Sequence, residues 1–179
     1  INKTEHMKRI SNVIEIKQYL LRLHKVLQRK DFKFKEETYT TAKIVLNTLK
    51  SIINFHTSYV VGNPISITGE HEIVKTFNRI YKKGMYTKTD YEITDDLITY
   101  GNAFEYVYLD GGVIKSKVIA NEDAYPVYDE QENYVAFIEH WQDIENGHKN
   151  YVVYTPAMVQ VFQDSVLKDE FANLSGLPI

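Results

Sequence analysis

Three carboxylates are the first candidates for chemistry. Glu92, Asp95 and Asp96 stand three and four residues apart, so on a helix they share one side. Such a cluster suits Mg²⁺ in phosphoester hydrolysis, with Asp110 as a further donor. That chemistry also needs a phosphate cradle, and the sequence has no GKS or GKT loop and no His or further acid at useful local spacing. A solvated acidic helix face is the simpler account. A metal-dependent phosphoesterase or nuclease stands as the alternative.

The second candidate is Gln28 to Glu37, QRKDFKFKEE, where Arg29, Lys30, Lys33 and Lys35 alternate with Phe32 and Phe34. Cations beside stacking faces suit phosphate and base contacts. The spacing is equally that of a solvated charged loop with two anchoring phenylalanines, and an aperiodic loop is expected. Asp129 to Asn133 begins like a calcium loop but fails at its sixth position, Tyr134, and its twelfth, His140. It reads as a turn. His140 points away from its neighbours Glu139 and Trp141 on a strand, so no dyad forms there. Six scattered histidines and no cysteine nominate neither a nucleophile and base pair nor a zinc site. No cofactor is called for.

At 179 residues, 44% hydrophobic and 25% charged, the chain has the size and composition of one globular domain. It contains no apolar run long enough for a membrane helix, and its first residues are too polar for a secretory signal, which points to the cytosol. The net charge of −3 hides an asymmetry: residues 1 to 50 carry 12 Lys/Arg against 5 Asp/Glu, the rest 9 against 19. A basic arm followed by an acidic body points to an acidic partner, to pairing between subunits, or to a solvated helix face. The chain starts without Met and stops at Gly176-Leu177-Pro178-Ile179, so a fragment is expected.

Positioning falls to helices first and strands afterwards. Ser11 caps an expected helix from Asn12 to Arg29, with Val13, Ile16, Leu20, Leu23 and Leu27 on one stripe. A second is expected to open at Thr40 or Thr41, burying Ile44, Val45, Leu49, Ile52, Ile53 and Val60, and to stop at Gly62 before Asn63-Pro64. Ile65 to Thr68 reads as extended. A third helix covers His71 to Lys83 with Ile73, Phe77, Ile80 and Tyr81 inward; a fourth covers Lys88 to Tyr100 with Tyr91, Ile93, Leu97 and Ile98 inward. After Gly101 the period changes to two. Phe104 to Leu109 and Val113 to Ile119 flank Asp110-Gly111-Gly112, a tight hairpin with Phe104, Tyr106 and Tyr108 on one face. Tyr125 to Tyr128 reads as an edge piece because Pro126 cannot donate. Strands follow at Tyr134 to Ile144, Asn150 to Tyr154 and Met158 to Phe162, then a polar tail.

Several of these punctuated segments occur together elsewhere. Tyr100 to Asp110, YGNAFEYVYLD, resembles a segment of phage portal proteins, in the family typical of long-tailed phages and prophages of Gram-positive hosts. The residues that carry it are Gly101, Ala103, Glu105, Tyr108 and Asp110, followed by Pro126, Tyr128 and Asp129. Upstream, Ser58 to Ile65 with Gly62 and Pro64 resembles the family's helix end. Downstream, Tyr151 to Pro156 is similar to its strand into Thr-Pro, and Gly176 and Pro178 to the approach to its stem.

The resemblance implies a structural subunit of the portal, or head-tail connector: a homo-oligomeric ring, commonly a dodecamer. It forms the conduit for double-stranded DNA in packaging and ejection, and the docking site for the terminase motor and for head and tail completion proteins. The location implied is the portal vertex of the virion, with assembly in the host cytoplasm. The matched part corresponds to the outward-facing wing, with stem, clip, channel loop and crown beyond Ile179, so no DNA-contacting residue is carried over. The fold expected is α+β, amino-terminal helices followed by an antiparallel β-meander. Residues 1–37 form a basic helical arm and linker, and 38–179 a wing-like domain without enzymatic activity. A non-catalytic adaptor that binds an acidic partner through residues 1 to 50 is a further alternative.

Overall fold

The computed structural model describes residues 3–173, and Gly176 and Pro178 lie outside them. Four helices come first: α1 (Lys3–Leu20), α2 (Thr48–Val61), α3 (Glu72–Lys83) and α4 (Tyr86–Tyr100). Between α1 and α2 lie a single 3-10 turn, Lys25–Gln28, and a short hairpin of β1 (Phe32–Phe34) and β2 (Glu37–Tyr39). A second hairpin, β3 (Phe104–Asp110) with β4 (Val113–Ile119), precedes an antiparallel meander of β5 (Ala124–Tyr128), β6 (Tyr134–Gln142), β7 (Lys149–Tyr154), β8 (Met158–Gln163) and β9 (Val166–Ala172). The meander runs in sequence order, β5-β6-β7-β8-β9. The α+β arrangement is therefore the one expected.

The β3–β4 hairpin is the middle layer. Pairing of Phe104 with Ile119 and Tyr106 with Lys117 sets one face toward the meander. There Phe104 lies 5.3 Å from Phe137 and Tyr106 4.5 Å from Tyr154, between ring centroids. Phe137, Ile119, Ala124, Val152, Tyr154 and Val159 are buried around them and form the core. The opposite face meets α4, where Ser116 Oγ lies 3.5 Å from Thr89 Oγ1, a buried position. The alternation read from sequence thus sorts the aromatics into the core because a strand's period is two.

Helix bounds followed their punctuation where it existed. His71 caps α3, Nδ1 accepting from Ile73 N at 3.3 Å, and Gly84 and Gly101 close α3 and α4. Gly101 does so in the left-handed conformation, φ 77°, which donates its N–H to Leu97 O at 3.0 Å.

Four expectations fail. α1 begins eight residues before Ser11 and ends at Leu20, where Arg22 turns left-handed, φ 63°; Leu23 and Leu27 are exposed. The segment expected as a loop over 28–37 is partly the β1–β2 hairpin. α2 starts at Thr48, capped by Asn47 Oδ1 accepting from Lys50 N at 3.2 Å, not at Thr40. The polar tail contains β9. On the helices, moreover, Ile53 is the one buried residue of the expected α2 stripe. Ile73, Tyr91 and Leu97 are exposed on α3 and α4.

Candidate interaction surfaces

The acidic cluster on α4 comes apart into three separate engagements. Glu92 faces Lys88 Nζ at 3.3 Å, and Asp95 Oδ1 accepts from the buried Thr57 hydroxyl at 3.1 Å, which ties α4 to α2. Asp96 lies against Asn121, and its pKa is pushed up to about 6, chiefly by burial and further by Asp95, Glu122 and Glu92. Among the described residues no group of three His, Cys, Asp or Glu side chains is arranged to hold a metal ion. Asp110 sits on the far side of the hairpin turn, paired with Lys115 Nζ at 2.6 Å.

α1 is fastened to the body by residues that the sequence did not single out. Arg9 donates to the Asn121 carbonyl at 3.0 Å and to the Ala124 carbonyl, and its guanidinium stands 5.6 Å from the Phe104 ring centroid. His6 stacks on Tyr125 at 3.7 Å, and Lys17 pairs with Glu122. Burial lowers the pKa of both His6 and Arg9. An open cleft of about 980 Å³ lies between Arg9 and His6 on one side and Tyr128, Asp129 and Glu130 on the other. No spacing rule could have found Arg9, because its carbonyl partners lie more than a hundred residues away.

Among the described residues, the segments that carry the portal resemblance have these structural places. Gly62 ends α2, where a Cβ would meet Ser58 O at 2.3 Å, and Pro64 follows in coil. Ala103 and Glu105 lead from α4 into β3. Tyr108 stacks on Tyr106, 6.0 Å between centroids, and Asp110 opens the turn made by Gly111, φ 55°, and Gly112, φ 75°. Pro126 lies on β5, an outer strand, and Tyr128 packs on Tyr134 at 5.5 Å. Asn133 Nδ2 donates to Asp129 Oδ2 at 2.9 Å, and Asp129 Oδ1 accepts from the amides of Asn133 at 2.8 Å and Gln131 at 2.9 Å; the Asn133 side chain first, then these amides, hold the Asp129 carboxyl below the usual range.

A family model described as "Phage portal protein, SPP1 Gp6-like" matches residues 2–175. The chain belongs to the phage portal protein family. A comparison with curated proteins gives no match. Family membership makes this a structural viral protein of the phage portal. It implies assembly as an oligomeric ring with head and tail components at the portal vertex of the virion. No helix among the described residues is long and apolar enough to cross a membrane.

Apolar side chains are also exposed on this chain. Along α2, Leu49, Ile52, Phe55, Tyr59 and Val60 share one side and are all exposed, Tyr59 by 82%. Phe55 and Tyr59 alone present on the order of 300 Å² of surface, comparable to the largest apolar patch of an ordinary monomer, roughly 300–600 Å². β1 and β2 are exposed at every position, and so is β9.

Proposed function

We propose that this chain is the amino-terminal wing region of a portal subunit. In the assembled ring it forms part of the outward-facing wing, and the ring as a whole is the conduit through which double-stranded DNA is packaged and ejected and the docking site for the terminase motor and the tail. Family membership over residues 2–175 carries this reading. The exposed apolar side of α2 supports it, since a face of that kind is covered when subunits assemble. Residues 1–37 serve as an arm and 38–179 as the wing-like body. Gly62, Pro64, Gly101, Ala103, Glu105, Tyr108, Asp110, Pro126, Tyr128 and Asp129 shape turns and packing, without catalysis. Assembly takes place in the host cytoplasm, and a dodecamer is the proposed ring.

Immunogold labelling of intact virions tests the reading. Label at one vertex, where head meets tail, is expected; label distributed over the capsid shell or absent from the particle contradicts it.

A further inference from the structure

The β1–β2 hairpin has no evident reason to be folded. Both strands are three residues long and exposed throughout, and an isolated two-stranded hairpin is marginal in water. It is nevertheless fully formed. Lys35 and Glu36 take left-handed conformations, φ 48° and 68°, as a two-residue turn requires. Thr41 clamps its base, its amide donating to Asp31 Oδ1 at 3.1 Å and its hydroxyl to Lys30 O at 3.0 Å. Phe32 and Tyr39 stack at 5.4 Å, yet Phe32 and Phe34 each remain 57% exposed. A preformed hairpin with its aromatic side chains left exposed is suited to docking.

The other end of the chain offers its complement. β9 is an outer strand, and a long exposed edge invites a further strand. Val166, Leu167 and Phe171 are exposed on it, 57%, 48% and 46%. Charge agrees in sign: residues 29 to 43 carry five Lys/Arg against three Asp/Glu, while 164 to 172 carry Asp164, Asp169 and Glu170 against Lys168 alone. Asp31, Glu36 and Glu37 are interleaved with the cations, and these carboxylates would repel a phosphate backbone. They suit a protein surface of mixed charge.

We propose that the β1–β2 hairpin docks on the β9 edge of a second copy of this chain, extending that copy's sheet and placing Lys33 and Lys35 beside Asp169 and Glu170. The contact is heterologous, hairpin to edge, so its repetition generates a ring or an open helix according to the rotation between copies. It rests on the portal reading only in that portal subunits assemble as rings, and its residues are fixed independently of that reading.

Zero-length carbodiimide coupling joins a lysine to a carboxylate in direct contact. Applied to assembled protein made from a one-to-one mixture of ¹⁴N and ¹⁵N chains, it should give mixed-isotope cross-linked peptides between Lys33 or Lys35 and Asp169 or Glu170. The double variant Lys33→Glu/Lys35→Glu should weaken self-association at least tenfold with an unchanged melting temperature. So should Asp169→Lys/Glu170→Lys, and mixing the two should restore association. If rings form but these cross-links are same-isotope or absent and neither charge variant changes assembly, the hairpin contact is wrong while the portal reading stands. Chains that never self-associate overturn both. Loss of duplex DNA binding in the hairpin variant with assembly intact assigns the hairpin to nucleic acid and overturns the proposal.

Discussion

Tyr154 donates its hydroxyl to Glu139 at 3.0 Å, and Lys117 reaches the same carboxylate at 2.7 Å. Tyr154 is 3% exposed, and burial beside Glu139 drives its pKa far above the ordinary tyrosine value. The three residues lie on β7, β6 and β4, so this one contact bolts the middle hairpin to the meander. Glu139→Ala should therefore cost more than Tyr154→Phe. The first strands a buried hydroxyl as well as losing a charged hydrogen bond, about 3 kcal/mol against about 1.5 kcal/mol. Urea unfolding of the two variants measures the order, and equal or reversed losses would contradict it.

Asp96 predicts a pH dependence of stability. Its folded pKa of about 6 lies above the unfolded value of 3.8. The folded state therefore holds the extra proton between those values, and stability falls as pH rises from about 4 to 6. For a half-exposed carboxyl, discounted for solvent screening, the loss is about 1 kcal/mol. Asp96→Asn should melt several degrees above the parent at pH 7.5 and together with it at pH 4. A stabilisation of the same size at both values would exclude titration as the cause.

Two of the glycines that close helices, Gly62 and Gly101, should respond differently to alanine. Gly62 has an ordinary φ of −62° but no room, a Cβ falling 2.3 Å from Ser58 O. Gly101 has room on every side and a φ of 77°. Gly101→Ala should cost about 1 kcal/mol and Gly101→Asn less, because asparagine tolerates the left-handed region. Gly62→Asn should cost as much as Gly62→Ala, because there the obstacle is the Cβ. Thermal melts of the four variants check the pattern.

The same geometry explains what was legible in the sequence. α3, α4 and the β3–β4 hairpin were readable because a cap or glycine marks their ends, as at His71, Gly84, Gly101 and Gly111-Gly112. Three of the misread stretches have turns that use left-handed residues other than glycine. Arg22 ends the approach from α1, Lys35-Glu36 closes β1–β2, and Asp164-Ser165, φ 48° and 68°, closes β8–β9. Such turns carry no compositional signal; the strands or contacts around them stabilise the conformation. Ser11 misled for the opposite reason, a good capping residue in the middle of a helix that Arg9 and Lys17 anchor to distant partners. The apolar stripe on α2 was read as burial, since sequence reports an apolar face without saying whether its cover is the same chain or another. The acidic triad was legible as a cluster, but Thr57 and Asn121, which draw its members apart, come from elsewhere in the chain.

Electron microscopy of the full-length subunit tests the central claim most directly. A portal subunit should form closed rings of uniform copy number with a central channel, seen end-on in negative stain. A protein that stays strictly monomeric at micromolar concentration, or that builds open filaments and never closes, would contradict the account.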